Sequence, residues 1–254
     1  MAITIKSERE IELMAEAGKI LERVHNELEK ALRPGMSTKD VDTLGEEIIR
    51  SYGCIPSFLN YNGYPASICV SVNQEVVHGI PDKHRIIQEG DIVSLDAGVI
   101  YKGYHSDAAR THAVGEVSEE AKKLIQVTKE SFFEGIKFAK AGNHLFDISG
   151  AIGRYAEERG YGVVRDLCGH GIGTALHEAP EIPNYEVGRK GVRLRPGMTL
   201  AIEPMINIGT HEVDWLDDDW TVVTRDGSLS AHYENTILIT EGVPRILSLT
   251  CENE

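Results

Sequence analysis

Two distant blocks of this sequence match one another at a single constant offset. The matched pairs are mainly glycines and acids: Gly35 with Gly142, Asp40 with Asp147, Gly53 with Gly160, Gly90 with Gly197 and Asp96 with Glu203. Two separated blocks that share one offset indicate an internal duplication. Because identity between the copies is low, chance similarity is the alternative. With only two copies, the pattern favours one pseudo-symmetric domain over a solenoid.

Each half is predicted to open with two helices. A capping box of Ser7 and Glu10 starts the first helix, whose apolar residues recur every three or four positions. A second helix is predicted over about residues 38–53. The same order recurs over residues 118–142 and 142–160, where a glycine again ends each helix. The duplicated unit is therefore helix, helix, strand.

Short strands bounded by turns follow the helices. Residues 92–95 are an apolar run, and Lys102-Gly103 is typical of a hairpin turn. The Asp-Gly pair at 226–227 predicts a second hairpin, between strands at 220–224 and 228–240. Helices combined with antiparallel ribbons favour an α+β class, in which an antiparallel sheet is covered by helices.

We expect the chain to form one domain. Its 254 residues are enough to bury a sizeable core, and no linker rich in Pro, Gly or Ser divides them. The expectation is a single domain over residues 1–254, with pseudo-symmetric halves at roughly 7–110 and 118–240.

Charge and composition exclude several classes of function. Lys and Arg number 26 against 40 Asp and Glu, a net charge of −14, which is unfavourable for binding nucleic acid. The N-terminus lacks the apolar segment of a signal peptide. The longest run without charged residues, 53–74, contains two prolines and several amides and does not resemble a membrane span. The four cysteines form no C-x-x-C pair, so reduced thiols in a soluble cytoplasmic protein are expected.

Four carboxylates lie next to apolar strands. Asp96 ends the run 92–95, Glu203 ends another apolar run, and Glu234 opens a third. If Lys102-Gly103 is a two-residue turn, Gly98 faces Asp107, and Asp96 and Asp107 are diagonal neighbours about 7–8 Å apart. Two like charges that close need a proton or a cation between them.

Each acid alone could be a strand-end group facing solvent. Four at corresponding strand ends favour a metal site, because an isolated buried carboxylate is costly unless it is paired or metal-bound. Oxygen-rich ligands with one imidazole suit ions such as Mn, Fe(II) or Co. The candidate imidazole is His170, in the glycine-rich segment 169–173.

The other histidines carry weaker signals. His78 and His177 have distinctive neighbours, although a core or surface role is the alternative for each. The remaining ones are interpreted as structural or exposed: His25, His84, His105, His112, His144, His211 and His232. No H-E-x-x-H, G-x-S-x-G or phosphate-binding glycine loop is present, which argues against zincins, common serine hydrolases and nucleotide binding.

The ordered acids and histidine resemble a known family. Asp96, Asp107, His170, Glu203 and Glu234 look like the five metal ligands of the methionine aminopeptidases, type I in particular. The resemblance extends from Ser7 to Thr240 and includes the segments 77–81, 169–173 and 202–205. It implies the family's pseudo-two-fold "pita-bread" α+β fold, in agreement with the duplication.

The resemblance implies a dinuclear site of two divalent ions (Fe(II), Mn, Co or Zn) that hold a bridging hydroxide. Asp96 would bind the first ion, His170 and Glu203 the second, and Asp107 and Glu234 both. Glu203 would act as the general base. His177 would stabilise the tetrahedral oxyanion, and His78 would bind near the scissile amide.

The implied substrate is an N-terminal methionine followed by a small uncharged residue, on peptides and nascent chains. An apolar pocket for it is expected from Phe58, Tyr61, Tyr64 and Cys69, to which the family match adds Leu176 and Trp220, with core packing as the alternative role for the aromatic residues. The sequence departs from the family pattern at Phe58, Leu176, His232 and Asn235.

Two other functions compete. One is a proline-specific peptidase with the same fold and ligands, although such relatives usually carry an additional N-terminal domain. The other is a non-catalytic peptide-binding module, although such proteins typically lose metal ligands. We expect a monomer, transient ribosome contact, and no direct binding to nucleic acid or membranes.

Overall fold

The computed structural model describes residues 3–249 of the chain. Its four helices are α1 (Glu8–Ala31), α2 (Thr38–Ser51), α3 (Glu119–Ile136) and α4 (Leu145–Glu157), and a 3₁₀ turn spans Tyr61–Gly63. The strands of the first half are β1 (Ile55–Pro56), β2 (Ile68–Val72), β3 (Glu75–Val77), β4 (Ile92–Tyr101) and β5 (Tyr104–Ala113). Those of the second half are β6 (Gly162–Val163), β7 (Gly169–Gly171), β8 (Glu178–Ile182), β9 (Thr199–Ile202), β10 (Met205–Asn207), β11 (Val213–Trp215), β12 (Val222–Thr224), β13 (Ser230–His232), β14 (Glu234–Leu238) and β15 (Arg245–Ile246).

Helix boundaries follow the capping signals in the sequence. The Ser7 side chain accepts from the backbone N–H of Glu10, whose carboxylate accepts from the Ser7 N–H, and this completes the predicted capping box. Asp40 and Asp147 occupy the same third position in α2 and α4 and accept from the backbone N–H of the capping residue. Satisfying the free N–H groups of the first turn fixes where each helix starts. All four predicted helices are present, but the predicted end of the third helix at Gly142 is wrong, because α3 ends at Ile136.

One large antiparallel sheet forms the centre of the fold. Its strand order is β1-β4-β5-β14-β9-β7-β8, with β2 also paired to β4 and β15 to β14. Helices α1 and α2 pack on the first half, where Leu21 and Leu95 are fully buried. Helices α3 and α4 pack on the second half around Phe132 and Ile237. The predicted α+β architecture of an antiparallel sheet covered by helices is confirmed.

The duplication is visible in the backbone. The offset that relates Gly35 to Gly142 also relates the first residue of α2 to that of α4, and the first residue of β4 to that of β9. Gly35 and Gly142 share a φ of 90°, and their N–H groups donate to the carbonyls of Ile87 and Leu194, which are separated by the same offset. The seam between the halves is the β5–β14 pairing. We infer from this correspondence that the chain is one domain of two related halves.

The β4–β5 hairpin has the predicted register. Tyr101 pairs with Tyr104 across the Lys102-Gly103 turn, and Gly98 pairs with Asp107. One expectation was wrong: Asp96 does not end its strand, because β4 continues to Tyr101. Asp107 likewise lies inside β5.

The second predicted hairpin is also wrong. Strand β12 pairs with β11 and β3, whereas β13 pairs with β10. The turn after β2 lies between β12 and β13, because the N–H of Thr224 donates to the Gln74 carbonyl and the N–H of Ser230 donates to the Asn73 carbonyl. The chain after residue 227 is further divided into β13 and β14. A non-local segment has therefore replaced the local pairing.

Two sequence expectations concern cysteines and membrane spans. Cys54, Cys69 and Cys168 are free thiols, and the prediction for Cys251 lies outside the described residues. Between residues 3 and 249, no helix combines the length and apolar character needed to cross a bilayer.

The paired glycines give a test of the duplication. A Cβ at position 35 or 142 meets no atom within 4 Å, so Gly35→Ala and Gly142→Ala add only the cost of a left-handed backbone. That cost is about 1–2 kcal/mol, and we expect both variants to lose the same amount of unfolding free energy in urea titrations. Gly242→Ala, also in open space but without positive φ, is the control and should lose much less. Unequal losses at 35 and 142 would contradict the equivalence.

Candidate metal centre

Sheet register brings the four carboxylates to one face. Asp96 pairs with Ala109 on β5, and Ala109 pairs in turn with Glu234 on β14. Side chains directly opposite one another in a sheet point to the same side, and so do residues two apart in a strand. Asp107 therefore lies on the same face as this row. Glu203, directly after β9, extends it, because the preceding residue of β9 pairs with the residue after Glu234.

His170 completes the cluster from the next strand. Its strand β7 pairs with β9, and its Nε2 lies 3.6 Å from Glu203 Oε1 and 3.9 Å from Asp107 Oδ2. Its Nδ1 is 2.9 Å from the Gly171 carbonyl oxygen, which can only accept a hydrogen bond. The proton is therefore on Nδ1, and the Nε2 lone pair faces the carboxylates, as a metal-binding imidazole requires.

The donor set fits divalent cations. Ligating atoms of Asp107, His170 and Glu234 all lie within 4.8 Å of one another. In the described part of the chain, Asp96 Oδ1, Asp107 Oδ1 and Glu234 Oε1 are buried without a hydrogen-bond partner. A buried carboxylate oxygen with no partner is costly, and a cation removes that cost. Carboxylate oxygens with one imidazole are the ligands that hard or borderline divalent ions prefer.

Burial dominates the electrostatics of the cluster. It raises the pKa of Asp107 to about 7. It also raises the pKa values of Asp96, Glu203 and Glu234 well above their ordinary range, and for these three acids the neighbouring carboxylates add to the effect. Burial lowers the pKa of His170 to about 3. The imidazole is thus neutral, which is its metal-binding form, and the acids need a compensating positive charge to ionise together.

The cluster opens into a cavity of about 360 Å³. Tyr64 and Trp220 meet edge to face on its wall, at 5.1 Å between ring centroids. Asn62 is the one lining residue that the sequence argument missed, and its side-chain type gave no signal. Apart from the ligand candidates, the walls of this cavity are largely apolar or aromatic, and we call this part of the cavity the chamber. The cavity walls include all the predicted pocket residues, Phe58, Tyr61, Tyr64, Cys69, Leu176 and Trp220, together with His78, His177 and the five acid and histidine ligand candidates.

The two remaining predicted histidines border this chamber. His177 lies at the exposed rim, its ring centroid 4.1 Å from that of His170 and its Nδ1 2.8 Å from the Tyr61 hydroxyl. His78 has a left-handed backbone with φ 59°, and its ring centroid is 6.2 Å from that of Trp220. Burial lowers the pKa of His78 to about 4, so its ring is neutral. Non-glycine residues with such a backbone are concentrated at functional sites.

Supporting hydrogen bonds were not predicted. The Thr236 hydroxyl accepts from the Asp107 N–H and lies 2.9 Å from the Asp107 carbonyl oxygen as well. The half-buried Arg110 donates to the Glu234 carbonyl and to the Oδ1 of the next residue, Asn235. The Asn184 amide donates to the carbonyl of Glu203. These contacts fix the backbone beneath the acids, and they are non-local, so no sequence spacing announces them.

His232 was interpreted as structural or exposed, and it is not exposed. Its ring is 2% exposed, and its Nε2 lies 3.8 Å from Glu203 Oε2. Burial lowers its pKa to about 3, which keeps the ring neutral. The sequence did contain one signal for this position. His232 lies two residues before Glu234, and residues two apart in an extended segment face the same side of a sheet. His25 and His105 are also buried.

Comparisons with known proteins agree with this geometry. Residues 12–241 match Metallopeptidase family M24. A methionine aminopeptidase of Clostridium acetobutylicum is 58% identical over 250 residues, covering 98% of this chain and 100% of that protein. The crystal structure of a methionine aminopeptidase from Thermotoga maritima superimposes with a TM-score of 0.96 at 48% identity, covering 98% of this chain and all of the other.

A more distant neighbour shares the same fold. The Xaa-Pro dipeptidase of Bacillus anthracis has a TM-score of 0.78 at 28% identity, and the match covers 97% of this chain but 62% of that one. The predicted pita-bread fold is thereby confirmed. The chain belongs to metallopeptidase family M24 and, within it, to the methionine aminopeptidases.

Proposed function

We propose that the protein hydrolyses the bond after an N-terminal methionine, on peptides and nascent chains whose second residue is small and uncharged. The observation that carries this proposal is a cavity of about 360 Å³ that is lined both by the carboxylate–histidine cluster and by apolar and aromatic side chains. The cavity can hold one unbranched apolar side chain. The peptide bond that follows this residue would then lie beside the cluster. The names of the relatives support the same reaction.

We propose a two-ion assignment for the five ligands. Asp96 would hold one ion, His170 and Glu203 would hold the other, and Asp107 and Glu234 would contribute to both; the ions would be Fe(II), Mn, Co or Zn. The unpartnered oxygens of Asp96, Asp107 and Glu234 support this assignment. When bound, such ions polarise the scissile carbonyl and lower the pKa of water so that it can attack near neutral pH.

The protein's own residues then orient the substrate and move the proton. Glu203 accepts the proton of the attacking water and passes it to the leaving amine. His177, at the rim, donates to the carbonyl oxygen as it becomes negative, and Tyr61 holds the ring through Nδ1. His78 contacts the peptide near the scissile amide. The methionine side chain is surrounded and kept from water by the apolar wall, which includes Phe58, Leu176 and Trp220.

The remaining proposals concern the setting of the reaction. We propose a monomer as the active unit. Nascent chains as substrates support a cytoplasmic enzyme with transient contact near the ribosomal exit.

Substrate discrimination is the test of the reaction itself. After chelation and restoration with Mn(II), Co(II) or Fe(II), Met-Ala-Ser should be cleaved with a kcat/KM at least about tenfold above that of Leu-Ala-Ser, because the chamber fits an unbranched side chain. Release of free amino acids is measured by chromatography. Cleavage of Gly-Pro alone would assign the protein to the proline peptidases, and no turnover with any ion would favour the peptide-binding module.

Asp107→Asn tests the metal assignment. A shared ligand has been replaced, so we expect dialysed protein to lose both ions, measured by mass spectrometry of the metal content. In the metal-free state the variant should have a higher Tm than the wild type, because one of four crowded acids is now neutral. Added Mn(II) should raise its Tm less than that of the wild type. Asp42→Asn, which alters a buried carboxylate in α2, is the control that keeps its metal.

His177→Ala tests the role of the rim histidine. Loss of one donor to a developing oxyanion typically lowers kcat by about 10²–10³-fold, and we expect that range with the metal content unchanged. The exposed His84→Ala variant is the matched control with normal kcat. Loss of metal from His177→Ala would instead identify His177 as a ligand.

A further inference from the structure

A buried ion pair lies beside the loop that carries His177. The Nζ of Lys6, just before α1, is 2.6 Å from Oε2 of Glu178, the first residue of β8. The Thr4 hydroxyl donates to the same carboxylate oxygen, at 2.6 Å. Only 4% of the Lys6 side chain and 12% of the Glu178 side chain are exposed. A lysine is almost never buried so deeply unless an opposite charge is paired with it.

The pair is ionic on both sides. Burial raises the pKa of Glu178, but hydrogen bonds from Lys6 and Thr4 outweigh that effect, so the pKa lies below its ordinary value. The carboxylate is therefore ionised at neutral pH and compensates the Lys6 ammonium. Removing one member of a buried pair leaves the other charge uncompensated, which is strongly unfavourable. The place of Glu178 is thereby tied to that of Lys6.

The same carboxylate also closes the loop between β7 and β8, which spans residues 172–177. Oε1 of Glu178 accepts from the backbone N–H of Ala175, at 3.4 Å. Glu178 pairs in addition with Gly171 across the β7–β8 ladder. His177 lies between these contacts and lines the cavity of the candidate metal centre. One carboxylate therefore joins the N-terminal segment, through Oε2, to the His177 loop, through Oε1.

A glycine allows the ion pair to approach the loop backbone. A Cβ at Gly173 would lie 2.4 Å from Oε1 of Glu178 and 2.5 Å from Cε of Lys6, which is too close for non-bonded atoms. The Gly173 carbonyl accepts from the N–H of His105 on β5, at 2.8 Å. The loop is therefore held both by the sheet and by the ion pair.

Lys6 is itself fixed in place. Its N–H donates to the carbonyl of Gly197, in the turn before β9, at 2.8 Å. A Cβ at Gly197 would meet Cγ2 of Ile5 at 2.7 Å, so the N-terminal segment lies directly on this turn. The next residue, Ser7, caps α1. With its backbone anchored on both sides, Lys6 offers the loop a fixed positive charge.

We propose that Lys6 is a positioning residue, which acts through Glu178 to hold the loop 172–177 so that the His177 ring stays at the metal site. This inference rests on the proposed function, since it takes from there the role of His177 at the developing oxyanion. A donor stabilises that charge only if it is already aimed, and a misplacement of about 1 Å costs about 10²-fold in rate. Lys6 is not among the residues that line the cavity, so its effect has to pass through the loop.

Lys6→Met tests the proposal, because it removes the charge and keeps an unbranched side chain. With Mn(II)-loaded enzyme and Met-Ala-Ser, kcat should fall about 10–100-fold, while KM changes less than about twofold and the metal content stays the same. Lys39→Met is the matched control, since Lys39 also pairs at 2.6 Å with a buried acid, Asp42, but on α2 and outside the cavity. It should keep the wild-type kcat. An unchanged kcat in Lys6→Met, or an equal loss in Lys39→Met, would overturn the proposal.

Two double variants separate positioning from a purely structural role. Lys6→Met combined with Glu178→Met removes both charges, so most of the lost Tm should return. Its kcat should remain low, because the contact with the Ala175 N–H is absent. In a His177→Ala background, Lys6→Met should lower kcat by less than about twofold further, since both changes remove the same interaction. Recovery of kcat together with Tm, or a full further loss in the His177→Ala background, would contradict a positioning role.

Hydrogen exchange tests the loop without turnover. Exchange in the peptide that covers residues 172–178 is followed by mass spectrometry, with and without added Mn(II). Lys6→Met should speed this exchange at least about tenfold, whereas Lys39→Met should leave it at the wild-type rate. Unchanged exchange in Lys6→Met would show that the ion pair does not hold the loop. If the wild type cleaves no methionyl peptide with any ion, the proposed function fails, and the exchange rates still decide whether Lys6 fixes the loop.

Discussion

The candidate metal centre depends on a row of acids that the sheet register forces together. Asp96, Ala109 and Glu234 are paired in sequence across three strands, and Asp107 and Glu203 flank the row on the same face. Such crowding of buried carboxylates opposes folding unless positive charge is supplied. The register is nevertheless fixed, because one face of each strand must be buried under the helices and a one-residue slip would expose it. Hydrophobic packing of α1–α4 thus keeps the acids close together, although the repulsion between their carboxylates is unfavourable.

Local signals in the sequence predicted what local physics determines. Capping residues set where the helices begin, and the Lys102-Gly103 turn set the register that pairs Gly98 with Asp107. The acids and histidine were found because buried charge is costly, and the family resemblance supplied their proposed roles. What failed was non-local. The Asp-Gly turn at 226–227 was recognised, but the turn at Asn73 lies between its flanking strands. His232 was undervalued because its proximity to Glu203 depends on pairing between distant strands.

The two halves are related in backbone but not in chemistry. Asp96 and Glu203 obey the offset of the duplication, whereas Asp107 and Glu234 lie farther apart in the chain than that offset allows. The additional segment lies between β10 and β14 and includes the β11–β12 hairpin. Trp220, in the connection between these two strands, forms part of the chamber wall. The histidine among the ligand candidates, His170, also comes from the second half only. The repeated parts therefore form the acid-bearing sheet, whereas His170 and Trp220 come from segments without a counterpart in the other half.

Within the large sheet, the two halves are joined only by the short pairing of β5 with β14. Strands β5 and β14 are paired at only two positions, reinforced by Thr236 and Arg110, and the ligand candidates straddle this line, two acids from each side. Ions bound there would link the two halves, much as a covalent crosslink joins distant parts of a chain. The metal ions would then stabilise the fold as well as take part in catalysis. Metal loading should therefore slow the exchange of amide hydrogens along β5 and β14 more than that of the amide hydrogens in the helices.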